Sequence, residues 1–374
     1  MAGIYVHIPF CKKACHYCDF HFSTSLSSKT DLVQAILSEL ISRKDYLNNK
    51  VIETIYFGGG TPSLLSENEL QLILNTIYQH FNAADTLEIT LEANPDDLTE
   101  EKLSTLKKAR INRLSIGIQS FRDCDLKLMN RSHTAEQALS AVKTAQDVGI
   151  SNITVDLIYA IPELSNEAWV NNLTKAFELQ VPHISSYCLT IEPKTVFQHQ
   201  IVKGNLKEIN EEIATQQFNI LVKETEQQGY LHYEISNFCL PDQFSKHNSN
   251  YWKGVHYLGV GPSAHSYDGI SRQWNIANNH QYTKAINAHT NYFEREELSE
   301  NTRYNEYIMT SLRTMWGCDE HYIKSEFPNY YQLYLQKIDT LLKYEGIQKQ
   351  DNMVTLTKKG KFICDKISEE LFIV

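Results

Sequence analysis

The chain opens with Ile4-Tyr5-Val6-His7-Ile8-Pro9-Phe10-Cys11-Lys12-Lys13-Ala14-Cys15-His16-Tyr17-Cys18, and this stretch decides the fold. The run Ile4–Ile8 is rich in branched and aromatic residues, which is typical of a strand. Three cysteines follow it directly with the spacing Cys-x3-Cys-x2-Cys. Three thiolates can hold three irons of a [4Fe–4S] cluster and leave the fourth iron open to a small chelating molecule. A fourth cysteine ligand would close that position.

Zinc binding is the main alternative for the three cysteines. Structural zinc takes four nitrogen or sulfur ligands, commonly from two Cys-x2-Cys pairs. The chain has no second pair of this spacing, although His16 and His21 lie near enough in sequence to complete a Cys3His set. The spacing therefore predicts an iron–sulfur site at Cys11, Cys15 and Cys18, with zinc or plain packing left open as alternatives.

The composition is that of an ordinary globular protein. The chain has 374 residues, of which 42% are hydrophobic and 21% charged, and this length suggests about two domains. The 35 basic residues against 45 acidic ones give no general attraction to nucleic acid or to anionic membrane. The other cysteines are scattered, which indicates reduced packing residues. Since we find no signal peptide and no apolar run of about 18 residues, we expect a cytoplasmic location.

The first two thirds of the chain alternate strand-like and helical segments. Six short segments have strand composition: Ile4–Ile8, Thr54–Phe57, Leu87–Glu92, Arg113–Ile118, Ile153–Ile158 and His183–Leu189. A helix over 66–81 begins with a capping box, and a helix over 134–148 ends at Gly149. This alternation predicts an α/β fold with a parallel sheet, as a partial (β/α)6 barrel of TIM type. An open doubly wound sheet is the second choice.

Three regions follow from the pattern. Residues 1–235 are predicted to form the barrel with the cluster site, and 236–295 a connecting segment with an irregular stretch from Phe244 to Trp274. Residues 296–374 are predicted to form a smaller, mostly helical domain. Its final part, Leu335–Ile373, has the order helix, strand pair, helix of a winged-helix fragment. Because few basic residues lie on a plausible recognition face, we expect a packing lid and not a DNA-binding domain.

A glycine-rich stretch, Gly58-Gly59-Gly60-Thr61-Pro62, follows the second predicted strand. Glycines let a backbone approach a ligand closely, although a tight turn alone would explain them equally well. In a TIM-type barrel the chemistry gathers at the carboxyl ends of the strands. Polar residues also follow the later strands, at Glu92–Asp96, Gln119, Asp156 and Thr190–Glu192. The cysteine loop and the glycines together therefore predict a ligand site at this end of the barrel.

These features resemble a radical S-adenosylmethionine protein, and more narrowly the oxygen-independent coproporphyrinogen III oxidase family. The matching stretches span the predicted barrel: Tyr5–Cys11, Phe57–Pro62, Leu91–Pro95, Ser115–Phe121, Arg131 and Asp156–Tyr159. The resemblance implies Cys11, Cys15 and Cys18 as ligands of the [4Fe–4S] cluster. It implies contacts to S-adenosylmethionine from Tyr5, Tyr17, Gly59, Gly60, Thr61, Glu92, Gln119, Arg131 and Asp156. For the charged residues among them, a structural ion-pair network at the barrel rim is the alternative.

Two departures separate the chain from the oxidase. Phe20 stands where the oxidase has a further cysteine, and the chain starts only ten residues before Cys11, without the oxidase's N-terminal extension. The stretch 247–252, His-Asn-Ser-Asn-Tyr-Trp, is instead similar to a motif of a heme chaperone branch of the family. In that branch the histidine is implicated in heme binding, which implies His247 as an axial iron ligand. His256 and His265 are secondary candidates.

The resemblance thus implies a protein that binds a [4Fe–4S] cluster, S-adenosylmethionine and heme. It implies delivery of heme to acceptor hemoproteins, including membrane ones, and a cluster-loaded form that can dimerise. We expect no nucleic-acid partner. One alternative is an oxygen-independent coproporphyrinogen III oxidase. Another is a nucleic-acid-binding regulator with a sensing cluster, which the acidic net charge of −10 disfavours.

Overall fold

The computed structural model describes all 374 residues, and one large sheet organises most of them. Its twelve strands are β1 (Ala2–Ile8), β2 (Ile52–Gly59), β3 (Ala83–Ala93), β4 (Arg113–Gln119), β5 (Ile153–Tyr159), β6 (His183–Cys188), β7 (Leu231–Glu234), β8 (Asn237–Cys239), β9 (His256–Val260), β10 (His265–Tyr267), β11 (Ser271–Asn275) and β12 (Phe293–Glu297). The accompanying helices are α1 (Lys29–Ser42), α2 (Glu67–His80), α3 (Glu100–Lys108), α4 (Asp123–Leu128), α5 (Ala135–Val148), α6 (Asn166–Glu178), α7 (Val196–Val202), α8 (Glu211–Gln227), α9 (Lys246–Trp252) and α10 (Asn279–Asn287).

Strands β1 to β6 are parallel and lie side by side in chain order, with at least one helix in each connection. Strands β8 and β7 extend the sheet beyond β6 with antiparallel pairing. On the other side, β9 pairs in parallel with β1, and β10, β11 and β12 continue from it as antiparallel strands. The carboxyl ends of β1 to β6 therefore meet at one end of the molecule.

The local signals in the sequence form the predicted elements. All six predicted strands are present with bounds shifted by a few residues. At the start of α2, the Ser66 hydroxyl accepts from Glu69 N, and the Glu69 carboxylate accepts from Ser66 N. Helix α5 ends at Gly149, whose φ of 88° is in the left-handed region that glycine tolerates. The apolar face of α2 is buried, at Leu70, Ile73, Leu74 and Ile77.

The segment from Phe244 to Trp274 was predicted to be irregular, and this prediction is wrong for most of its length. It contains α9, β9, β10 and most of β11. Strands β10 and β11 escaped prediction because the residues that they bury are polar. In β11, Ser271, Gln273 and Asn275 are buried and alternate with the half-buried Arg272 and Trp274, so no alternation of apolar residues marks the strand. We propose that residues 256–297 belong with the barrel and not with a separate connecting segment.

A buried carboxylate in α1 holds this extension of the sheet in place. Glu39 is fully buried and accepts four hydrogen bonds. Its donors are Arg43 Nη1 at 3.3 Å, Gly261 N at 2.8 Å, Asn275 Nδ2 at 2.8 Å and the Tyr282 hydroxyl at 2.5 Å. Arg43 directly follows α1, and Gly261 lies in the turn after β9. Asn275 belongs to β11, and Tyr282 belongs to α10. One side chain thus joins four elements, and a buried charge is stable only with such partners.

The C-terminal residues form a second, smaller unit with its own hydrophobic cluster. Its elements are α11 (Glu300–Leu312), β13 (Cys318–Asp319), α12 (Glu320–Glu326), α13 (Tyr331–Leu341), β14 (Ile347–Gln350), β15 (Met353–Leu356) and α14 (Cys364–Leu371). The predicted order of helix, strand pair and helix is present here. The unit packs on the outer edge of the sheet, where Met315 N donates to Tyr233 O of β7 at 2.8 Å. No helix of the chain combines the length and apolar character needed to cross a bilayer.

We predict that Glu39→Ala lowers the free energy of unfolding by about 3 to 5 kcal/mol, because it leaves Arg43 buried without its carboxylate. Urea denaturation followed by circular dichroism measures this. Gln34→Ala, at an exposed position of the same helix, is the matched control and is expected to change stability by less than about 0.5 kcal/mol. Equal stabilities of the two variants would contradict the role given to Glu39.

Candidate functional site

The cysteine loop begins at the carboxyl end of β1 and is tied at its base to the glycine turn after β2. Gly60 N donates to Ile8 O at 2.9 Å, and Thr61 N donates to Phe10 O at 2.7 Å. A Cβ on residue 60 would lie 2.7 Å from Phe10 O and 2.8 Å from Phe10 N, closer than a side chain can approach backbone. Glycine is therefore required there, and the turn lies directly against the cysteine loop.

The far side of the cysteine loop is held by the turn after α4. His16 N donates to Met129 O at 3.1 Å, and its Nδ1 lies 2.9 Å from Leu128 O. Asn130 Nδ2 donates to Ala14 O at 2.8 Å. Two further contacts anchor the loop, since Lys12 binds the carboxylates of Asp96 and Asp97 after β3. The protein itself thus fixes the loop between the first and last cysteines.

Arg131 connects the cysteine loop to the ends of two strands. Its Nη1 lies 3.2 Å from Cys15 Sγ and 3.4 Å from the Tyr17 hydroxyl. Its Nη2 donates to Asn94 Oδ1 and to Gly117 O, each at 2.7 Å. Its Nε is buried without a partner. Such an unpaired donor at a site mouth is suited to an additional acceptor from a ligand.

The thiols of Cys11 and Cys18 in the cysteine loop stay protonated until a cationic metal centre binds. Burial raises the pKa of Cys11, and it raises the pKa of Cys18 to about 11. These groups therefore become thiolates only when a strong cationic centre compensates the charge. A ring nitrogen of each candidate fourth ligand is engaged elsewhere, His16 with Leu128 O and His21 with Asn279 Oδ1 at 2.7 Å. A zinc ion with four ligands would therefore need the second ring nitrogen of one of these histidines, whereas a cluster with an open iron needs only the three thiolates.

Two half-buried carboxyl groups lie across the mouth from the cysteine loop. Glu92 accepts from the Tyr56 hydroxyl at 2.8 Å and from Gly59 N at 3.2 Å. Burial raises the pKa of Glu92 to about 7 and that of Asp156 to about 6. Asp156 accepts from the Ser115 hydroxyl at 3.1 Å. Since neither carboxyl group pairs with a cation in the protein, a positively charged ligand would favour both ionised forms.

The structure brings the other predicted residues to the same mouth. Tyr5 stacks on Tyr56 with ring centroids 6.0 Å apart, beside Glu92. Gln119 is the last residue of β4 and has a φ of 68°. Its side-chain amide lies over Gly117, since Nε2 is 3.0 Å from the position that a Cβ atom on Gly117 would take. Arg131 contacts neither Glu92 nor Asp156, so the alternative of an ion-pair network among them is not formed.

Sequence reasoning missed several residues of this mouth, among them Asn94 and Lys12. Asn94 lies within the stretch Leu91–Pro95 that already marked the site, so its position after a strand was an available signal. Lys12 carries no such signal, because its role depends on two carboxylates that are 84 and 85 positions further along the chain.

His247 lies deeper within the barrel, against β1 and β2, where its ring stacks on the inner side of Tyr5 and Tyr56. It is 2% exposed, and its Nδ1 lies 2.8 Å from the Thr54 hydroxyl. Its Nε2 lies 2.9 Å from the Tyr251 hydroxyl, and its ring stacks on Tyr56 at 5.0 Å. Both ring nitrogens are therefore occupied by hydrogen bonds in this conformation. Its predicted role as a heme ligand stays a prediction.

Known proteins match the chain over its fold and over its full length. The model of the radical SAM superfamily matches residues 5–176. The heme chaperone HemW of Lactococcus lactis is 32% identical, with 99% of this chain and 97% of the relative covered. The heme chaperone HemW of Bacillus subtilis is also 32% identical, with 98% of each chain covered. The structure of coproporphyrinogen III oxidase (HemN) from Escherichia coli, a radical SAM enzyme, superimposes with a TM-score of 0.86 at 22% identity, over 99% of this chain and 90% of that one.

The structural match confirms the predicted barrel-type α/β core with a C-terminal domain, and at this identity it shows the fold alone. The fold, the cysteine loop and the glycine turn against it define a protein of the radical S-adenosylmethionine class. Within that class, the near-complete coverage at 32% identity shows that the chain belongs to the heme chaperone HemW family.

We predict that Glu92 makes the ligand-free protein less stable as the pH rises. Its folded-state pKa of about 7 lies above the usual 4.5, so its contribution is fully present below pH 4.5 and is lost through pH 7. Between pH 5 and pH 8 the free energy of unfolding should fall by up to about 3 kcal/mol more in the wild type than in Glu92→Gln. Urea denaturation across this range measures the difference.

The matched control for this pH series is Glu178→Gln, at an exposed position near the end of α6. It should follow the wild type at every pH. A Glu92→Gln variant with the same pH dependence as the wild type would show that Glu92 ionises normally.

Proposed function

We propose that the chain is a heme chaperone that binds a [4Fe–4S] cluster, S-adenosylmethionine and heme, and delivers heme to acceptor hemoproteins. The observation that carries this proposal is the near-complete match to proteins named heme chaperone HemW. The geometry of the mouth supports the cofactor part, because three sulfur donors, a glycine turn and two uncompensated carboxyl groups surround one opening.

Each part of the mouth has a task in this proposal. Cys11, Cys15 and Cys18 would hold the cluster, which when bound supplies an open iron and one electron to a chelated sulfonium nucleotide. The backbone of Gly59, Gly60 and Thr61 would line the methionine end of that nucleotide. We assign the ammonium and ribose groups to the carboxylates opposite, Glu92 and Asp156.

Arg131 has a separate task in the same mouth. It already donates to Asn94 Oδ1 and Gly117 O, which fixes the plane of its guanidinium group. Its contact with Cys15 Sγ places a positive charge beside the future thiolate. We assign to Arg131 the carboxylate of the nucleotide ligand, which a guanidinium can bind through two parallel hydrogen bonds. Tyr5, Tyr17 and Gln119 complete the proposed contacts.

The heme ligand and the partners are finer parts of the proposal. If His247 binds heme iron, α9 must first move, because both ring nitrogens are hydrogen bonded and the ring is buried. We propose acceptors that include membrane hemoproteins, a cytoplasmic location that cell fractionation would check, and a dimer of the cluster-loaded form.

We predict that Cys15→Ser abolishes the [4Fe–4S] cluster after anaerobic reconstitution with iron and sulfide, because one iron loses its thiolate. Electron paramagnetic resonance of the reduced protein and iron analysis measure this. Cys124→Ser, which changes an exposed free thiol, is the matched control and should keep the full signal. Light scattering on the same samples tests the dimer, which should be present in the control and absent in Cys15→Ser. An intact cluster in Cys15→Ser would remove that residue from the ligand set.

We predict that the reconstituted protein binds ferric heme at one site per chain and passes it to an apo-hemoprotein. With coproporphyrinogen III, S-adenosylmethionine and a reductant, it should form no protoporphyrinogen IX. Optical titration, transfer to apomyoglobin and chromatography of the porphyrins measure these outcomes. Turnover of coproporphyrinogen III would favour the oxidase, whereas absence of saturable heme binding would reject the chaperone.

A further inference from the structure

The inner face of the barrel sheet continues past β1 onto the antiparallel extension. Tyr5 of β1 pairs with Gly259 of β9, so residues at alternate positions from Gly259 share the face that Tyr5 occupies. Tyr257 of β9 pairs with Tyr267 of β10, which places Tyr267 on this face as well. The inner face therefore extends from the barrel mouth across β9 and β10.

The same register places two further rings on this face. His265 and Tyr267 are two positions apart on β10, and His265 pairs with Trp274 of β11. The opposite face is buried against α1, where Gln273 binds Arg43 at 2.7 Å. We call the four rings on the inner face, Tyr257, His265, Tyr267 and Trp274, the aromatic shelf. None of its members is fully buried.

His265 is the shelf residue that is free to bind a metal centre. It is exposed, its ring lies 6.3 Å from that of Trp274 at an interplanar angle of 31°, and neither of its ring nitrogens makes a hydrogen bond. His247 differs on each point, since it is 2% exposed and both of its nitrogens are engaged. Axial ligation of iron needs a free nitrogen lone pair that the metal can reach. His265 meets this condition without any movement of the chain.

The shelf adjoins the mouth that holds the cysteine loop. A Cβ on Gly261, in the turn between β9 and β10, would lie 2.5 Å from His7 O at the end of β1. His7 in turn stacks on His21, three positions after Cys18, with ring centroids 6.4 Å apart. A ligand on the shelf would therefore sit beside the proposed cluster and nucleotide site.

The open part of the shelf is the end formed by His265 and Trp274, because Tyr251 packs on Tyr257 with ring centroids 4.6 Å apart and Arg272 lies over Tyr267. Arg272 is held by Glu306 of α11 through two hydrogen bonds of 2.7 and 2.9 Å and lies 5.0 Å above the ring of Tyr267. On the outer side, Glu294 and Glu296 of β12 pair with Trp274 and Arg272. Anionic groups of a ligand are therefore directed away from β12, while a planar apolar ring system can lie on Trp274 beside His265.

We propose that the aromatic shelf is the heme-docking surface, with His265 as an axial ligand of the iron and Trp274 stacked against the porphyrin. This inference rests on the proposed heme chaperone function and names the surface and the ligand that perform it. It replaces the buried His247 as the iron ligand, and it assigns His247 to the packing of α9 within the barrel.

The test is titration of the full-length, cluster-reconstituted protein with ferric heme, followed by optical and electron paramagnetic resonance spectroscopy. His265→Ala should weaken binding by about tenfold or more and lose the spectrum of imidazole-ligated iron. Added imidazole should restore that spectrum, which a purely structural role would not allow. Trp274→Leu should weaken binding while it keeps the imidazole-ligated spectrum. His280→Ala, at an exposed position on α10, is the matched control and should behave as the wild type.

Two results would overturn the inference in distinguishable ways. If wild type and control bind heme, and His265→Ala keeps both affinity and spectrum, the iron ligand lies elsewhere. Loss of the spectrum in His247→Ala alone, with the fold intact by circular dichroism, would return that role to His247. If the wild type shows no saturable binding of heme, the proposed function itself fails together with the shelf.

Discussion

The site depends on two main-chain hydrogen bonds between neighbouring strand ends. The bonds from Gly60 N to Ile8 O and from Thr61 N to Phe10 O hold the glycine turn against the base of the cysteine loop. Both bonds use main-chain groups, which every residue type except proline carries, so the contact does not depend on side-chain chemistry once glycine is kept at position 60. The sulfur donors and the backbone that would face a bound nucleotide consequently have a fixed separation. The remaining side chains of the mouth, such as Arg131 and Glu92, are positioned around that pair.

The ligand-free mouth carries less charge than its composition suggests. Burial raises the pKa of the thiols of Cys11 and Cys18 and of the carboxyl groups of Glu92 and Asp156, so each of these groups keeps its proton to a higher pH than usual. A cationic metal centre would ionise one side, and a cationic nucleotide would ionise the other. The two ligands therefore bring the charges that complete the site. Asn130 and Lys12 hold the cysteine loop in place before either ligand binds. Binding of the metal centre therefore does not require the carboxyl side of the mouth to move.

Local signals in the sequence predicted the parts of the fold that local physics controls. Strand composition, the capping box at Ser66 and the glycine after α5 each act within a few residues, and the structure has them where expected. Strands β10 and β11 could not be predicted, because the residues that they bury are polar, and Asn275 of β11 is held by Glu39, more than 200 positions earlier in the chain. The burial of His247 escaped for the same reason, since Thr54 supplies one of its partners from a distant strand.

The two edges of the twelve-stranded sheet are protected in different ways. Beyond β7, the C-terminal unit covers the edge through the bond from Met315 N to Tyr233 O. At the other edge, β12 has the sequence Phe293-Glu-Arg-Glu-Glu297, and its last four residues are exposed. A row of charged side chains discourages another extended chain from adding to an open edge, which is a common route to aggregation. Folded copies are thus discouraged from joining edge to edge through β12.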